Sequence, residues 1–103
     1  MTAAEFRSLA LSLPGAVEHA HHQHPDFRVG KKIFATLGYP DADHAMVKLT
    51  PTQQAVLTQA EPGIFTPAKG AWGRAGATLM RLAAADAATA RSALTHAHCN
   101  IKP

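Results

Sequence analysis

The chain is poor in the features that staple, anchor or export a protein. Among 103 residues there is one cysteine, Cys99. A lone thiol closes no intrachain disulfide, so the fold must rest on its core, as expected in a reducing compartment. No apolar run approaches the ~18 residues of a membrane span. The opening Met-Thr-Ala-Ala-Glu-Phe-Arg lacks the basic-then-apolar order of a secretory signal. These absences predict a cytoplasmic protein with no membrane partner. Motifs of chemistry are scarce too. The glycines of residues 67–76 do not have the spacing of a phosphate-binding or dinucleotide-binding loop. No Ser/His/Asp set, paired carboxylates or cofactor motif is visible, which predicts a non-catalytic protein without a cofactor.

What is present describes an ordinary globular chain. Hydrophobic residues make up 47% and charged ones 17%, values outside the disordered range. The length fits one domain over residues 1–103. The clearest local signal is residues 25–37, Pro-Asp-Phe-Arg-Val-Gly-Lys-Lys-Ile-Phe-Ala-Thr-Leu. Two β-prone runs flank Gly30-Lys31, and a glycine at the first central position suits a two-residue type II′ turn. That turn pairs Val29 with Lys32, Arg28 with Ile33 and Phe27 with Phe34, an aromatic cross-strand pair.

The rest of the chain falls into alternating elements. Residues 2–13 read as a helix opened by the capping box Thr2-x-x-Glu5, with Phe6, Leu9, Ala10 and Leu13 as its apolar stripe. Residues 17–22 read as a strand. After the hairpin come a loop, a strand over 45–49, and a helix from Thr50-Pro51 to about Gln59. In that helix Ala55 and Val56 are expected inward and Gln53, Gln54 and Gln59 in water. Ile64 and Phe65 are expected to plug a core edge. Residues 67–76 read as a loop or wide hairpin, followed by a strand over 77–82. A last helix spans 83–98, with Ala87, Ala90, Leu94 and Ala97 inward and Arg91, Thr95 and His98 outward.

Charge and histidine patterning suggest sites. The net charge is +3, and between residues 27 and 81 Arg28, Lys31, Lys32, Lys48, Lys69, Arg74 and Arg81 outnumber Asp41, Asp43 and Glu61. That excess favours a polyanion or an acidic ligand, although keeping a small domain soluble is the commoner use of such charge. Trp72 lies between Lys69 and Arg74, an aromatic among cations on which bases can stack, although packing over its own loop is the commoner use of such a residue. Four of the seven histidines fall between Glu18 and His24. In a strand His19 and His21 share a face, which makes them candidate metal ligands. No third ligand stands at a recognised spacing, so no metal is predicted.

Several strings then resemble one family. They are Leu13-Pro14-Gly15 with Glu18, Pro25-x-Phe-Arg-Val-Gly-x-Lys-Ile-Phe-Ala35, Val47-Lys-Leu49, and Phe65-x-Pro-Ala-x-Gly-x-Trp-Gly73. Together they resemble the MmcQ/YjbR-like family across essentially the whole chain. The resemblance implies an α+β, two-layer fold, an antiparallel sheet with helices packed on it, in the order α-β(3-4)-α-β(1-2)-α and similar to secretion-chaperone-like folds. It also implies a "double wing", labelled a predicted DNA-binding feature. The wings fall at Arg28, Lys31 and Lys32 and at Lys69, Trp72 and Arg74. Binding there is expected to be weak and salt-dependent, by a monomer or weak homodimer. Family members often carry an aromatic residue where this chain has Ala77. A protein-interaction or chaperone-like module, or a small-ligand or metal-binding protein, is the alternative.

Overall fold

The computed structural model describes residues 1–101. The chain runs α1 (Ala3–Leu11), β1 (Val17–His21), β2 (His24–Val29), β3 (Lys32–Leu37), β4 (His44–Lys48), α2 (Pro51–Ala60), β5 (Phe65–Pro67), α3 (Gly70–Arg74), β6 (Ala77–Arg81), a 3-10 turn (Leu82–Ala84) and α4 (Ala87–Ile101). The described strands form one antiparallel sheet in the order β1-β2-β3-β4-β6-β5. The expected α+β class and element order are observed, with a fourth strand before α2, a second one after it and a short helix between the last two.

Helix starts follow from local chemistry. Thr2 and Glu5 form the reciprocal capping box of α1, at 2.9 and 3.1 Å. Thr50 and Gln53 do the same for α2, with Pro51 at its first position. Each box satisfies amide donors that have no partner inside the helix. Asp86 accepts from the Thr89 amide at 2.7 Å. The Ala-rich residues 82–84 form only a 3-10 turn, so α4 begins later than the expected residue 83.

One face of the sheet carries the main core. Phe27, Ala35, Leu37, Ala45, Val47, Met80 and Phe65 pack there against Phe6 and Ala10 of α1 and Ala90, Ala93, Leu94 and Ala97 of α4. Of the expected stripes, Phe6 and Ala10 of α1 and Ala90, Leu94 and Ala97 of α4 are buried, Leu9 and Leu13 are half-buried, and Ala87, expected inward, is exposed because it lies in the first turn of α4, at the edge of the core. The hairpin register is corrected at one point. Val29↔Lys32 and Arg28↔Ile33 pair as expected, but Phe27 pairs with Ala35, not Phe34. The register shift leaves Phe34 as the extra residue of a β-bulge, which places Phe34 and Ala35 side by side in the helix-side core. Phe34 meets the His98 ring edge-on, with centroids 5.5 Å apart. His98, expected outward, is buried, and its Nε2 lies 2.7 Å from the Pro14 carbonyl oxygen.

The expectations for α2 are also corrected. Ala55 and Val56 are exposed. Gln54, expected wet, is half-buried, and its amide nitrogen lies 2.9 Å from the Gly73 carbonyl, 3.0 Å from that of Ala77 and 3.2 Å from Thr78 Oγ1. Helix α2 meets the rest of the fold through this amide, through Gln53, which accepts from Asn100 of α4, and through half-buried Leu57 against the core.

The second face is only partly covered. Met46, Ala68 and Ala77 form a small separate cluster there, with Tyr39 and Leu79 against it. Cross-strand partners on this face run His19, Asp26, Thr36, Met46, Leu79 and Thr66 across all six strands.

Candidate functional site

Strand direction decides where the basic residues meet. In this antiparallel sheet β2, β4 and β5 run toward one end, and β3 and β6 run away from it. The β2–β3 turn, the exit of β4 and the β5–β6 connection therefore emerge at the same end. Lys31 and Lys32 come from the first, Lys48 from the second, and Lys69 and Arg74 from the third. The two predicted wings are thus neighbours along one edge of the molecule. Lys48 leaves the sheet between them, on the face it shares with Ala77.

The turn that presents Lys31 forms as its sequence requires. Gly30 has φ +62°, and a Cβ there would meet nothing within 4 Å, so the glycine is needed for its backbone angle alone. Lys31 and Lys32 are exposed and border a shallow pocket with Val29, Gly30 and Ile101. Ile101 is in the last turn of α4, where the negative end of the helix dipole favours cations. Among the described residues, Lys31, Lys32, Lys48, Lys69 and Arg74 form no ion pair.

Arg28 is placed differently. Its Nε donates to Asp26 Oδ1 at 2.6 Å and its Nη2 to Oδ2 at 3.0 Å. Asp26 is fully buried, and His21 Nδ1 lies 2.7 Å from the same Oδ2. An ionised carboxylate has no proton to give, so Nδ1 is the donor. The Arg28 guanidinium beside Asp26, with burial opposing and His21 assisting, holds the carboxyl below the usual aspartate range. Arg28 therefore serves first as the counter-ion of a buried carboxylate. Beside this trio, Thr36 Oγ1 is buried with no hydrogen-bond partner among the described residues.

Trp72 sits at the centre of the second wing. It is 39% exposed and meets the Tyr39 ring edge-on, with centroids 5.3 Å apart. Tyr39 in turn meets His24 at 6.0 Å. Residues 70–74, expected as loop, form the short helix α3, held close to the chain before it. A Cβ on Gly73 would lie 1.7 Å from the Ala68 carbonyl oxygen, so only glycine allows the approach. Trp72 is thus seated on a fixed turn of helix, half out of the surface.

His19 and His21 do share a face, but His21 is engaged by Asp26. Among the described residues, no three His, Cys, Asp or Glu side chains converge as a metal site would require. Among the described residues, no helix is long and apolar enough to cross a membrane. The sequence pattern assigned no role to Asp26 or Tyr39, counted Lys48 only among the cations, and placed Gln54 in water. Asp26 and Lys48 had a signal in strand alternation: Asp26 stands two residues before Arg28, and Lys48 faces away from buried Val47. Tyr39 and Gln54 had none, because their partners lie far along the chain.

The fold and this site define a class: a small α+β protein with an open antiparallel sheet, helices on one face and a basic end. The YjbR family model matches residues 11–100, and the chain belongs to that family. The crystal structure of a Deinococcus radiodurans protein with a DUF419 domain is similar, with a TM-score of 0.79 at 19% identity. That match covers 97% of this chain and 78% of the other, and it supports the fold. A search of curated proteins finds no match.

Proposed function

We propose that the protein binds nucleic acid, without catalysis, through the basic end of its sheet. The carrying observation is the convergence there of Lys31, Lys32, Lys48, Lys69 and Arg74, from three separate segments, none ion-paired among the described residues. Lysines that only keep a protein soluble have no reason to gather at one end of a sheet. A surface of cations without carboxylate partners matches the phosphate backbone and releases its counter-ions on binding. The double-wing label of the family points the same way. The wings here are the Lys31 turn and the Trp72 segment, and phosphate contacts of this kind position a strand without reading its sequence. Arg28 contributes to the wing's architecture.

Fluorescence anisotropy with labelled single-stranded and duplex oligonucleotides at low salt tests this. Binding is expected, and the double substitution Lys31→Glu, Lys32→Glu is expected to abolish most of it while leaving the fold intact. Absence of binding to both strand forms, or indifference to the double substitution, contradicts the proposal.

A further inference from the structure

We infer that the pocket beside Trp72 takes one unpaired base, so that the basic end prefers single-stranded nucleic acid to duplex; this rests on the nucleic-acid reading above. The pocket has a volume of about 190 Å³ and is lined by Lys48, Leu49, Trp72, Ala75 and Ala77. It is smaller than the ~300 Å³ at which sites for drug-sized ligands begin. Its size therefore suits one flat ring system better than a whole cofactor.

The lining has the chemistry of a base site. One wall is an indole, half-exposed and held in place by its edge-on contact with Tyr39. The exposed methyl group of Ala75 stands at the mouth, and Leu49 and Ala77, both buried, form the floor. Lys48 and Ala77 are cross-strand partners, so the lysine stem rises from the pocket's own sheet face. No carboxylate lines the pocket. An aromatic wall beside an unpaired cation provides stacking for a base and a counter-charge for its phosphate. A base inside a duplex has both faces stacked already, and it must be flipped out to enter such a pocket. The preference for single strands follows from that.

Lys69 and Arg74 border the same segment and are placed to follow the backbone on either side.

The test uses the full chain and two probes, a mixed-sequence single-stranded oligonucleotide and its duplex, at one salt concentration. Trp72 is the only tryptophan, so intrinsic fluorescence reports this wall alone. The single strand is expected to bind about tenfold tighter than the duplex and to quench Trp72. Trp72→Ala is expected to weaken single-strand binding about 5- to 150-fold, with duplex binding nearly unchanged. Ala75 is exposed at the end of α3, so Ala75→Leu fills the pocket mouth without entering the core. It is expected to reproduce the loss with the melting temperature preserved. Equal binding of both probes, without quenching and with Ala75→Leu silent, overturns this inference and leaves the basic-end reading standing. If neither probe binds, both are overturned.

Discussion

Asp26 and Arg28 stand two residues apart on one face of β2 and hold each other through two hydrogen bonds, 2.6 and 3.0 Å long. The relationship divides the cations of the hairpin by role. Arg28 neutralises a carboxylate that has no access to water, whereas Lys31, in the adjoining turn, has no ion-pair partner among the described residues. Removing one partner of a buried pair leaves the other charged and desolvated. Arg28→Ala is therefore expected to lower the melting temperature clearly, and Lys31→Ala to leave it unchanged. Thermal unfolding of the two variants side by side checks this.

The same carboxylate sets an acid limit. Arg28 chiefly, and His21 secondarily, hold the Asp26 carboxyl below its ordinary value. A depressed carboxylate contributes stability that is fully present above its unfolded pKa, about 3.9, and is lost as pH falls through the folded value. Stability should thus be flat from this source near neutrality and fall below about pH 4. Asp26→Asn should show a shallower fall over that window in melting temperature against pH. Asp41, Asp86 and Glu5 are lowered too, by a His44 contact and by backbone amides respectively. The fall should therefore be reduced, not erased.

Two glycines should respond very differently to a methyl group. At Gly30 the space is open and only the left-handed backbone angle resists, which costs about 1–2 kcal/mol. At Gly76 the φ of +118° is joined by a Cβ position only 1.9 Å from the Leu49 carbonyl oxygen. Backbone must move there. Gly76→Ala should destabilise well beyond Gly30→Ala in chemical unfolding, and it should disturb the Trp72 pocket by shifting Leu49.

His98 belongs to the core despite its polarity. Its ring packs on Phe34, and its Nε2 reaches the Pro14 carbonyl across 84 residues of sequence. His98→Ala should cost about 2–5 kcal/mol, as other large-to-small core substitutions do. His96→Ala, two residues away on the exposed side, should cost almost nothing. Denaturant titrations of both variants measure the contrast.

Which parts of this were legible follows from the range of each signal. The Thr2–Glu5 capping box, the Thr50-Pro51 start of α2, the Gly30 turn and most of the α1 and α4 stripes are set by residues within a few positions of one another, so the sequence carries them; the Gln53 half of the second box, expected in water, and exposed Ala87 are the exceptions. The Phe34 bulge is not set locally. Either register satisfies the hairpin, and the core selects the one that buries Phe34 and Ala35 together. His98 and Gln54 were misplaced for the same reason. Each is polar and looks solvated until Pro14 and Phe34, or Gly73 and Ala77, are brought beside it. The basic residues were visible as a list of cations, but the antiparallel path of β2, β4 and β5 is what assembles them. Asp26 shows the reverse: its two-residue spacing from Arg28 was there to read, and the positive charge drew attention away from its partner.

The central claim, that cations at one end of the sheet bind phosphates, is tested most directly by the salt dependence of binding. Five phosphate contacts predict a slope of log affinity against log salt of about −3.5 for a single strand and about −4.5 for a duplex. Charge reversal at Lys31 and Lys32 should remove about two contacts' worth of that slope from any binding that remains. A slope near zero, or one unchanged by the two substitutions, contradicts the account.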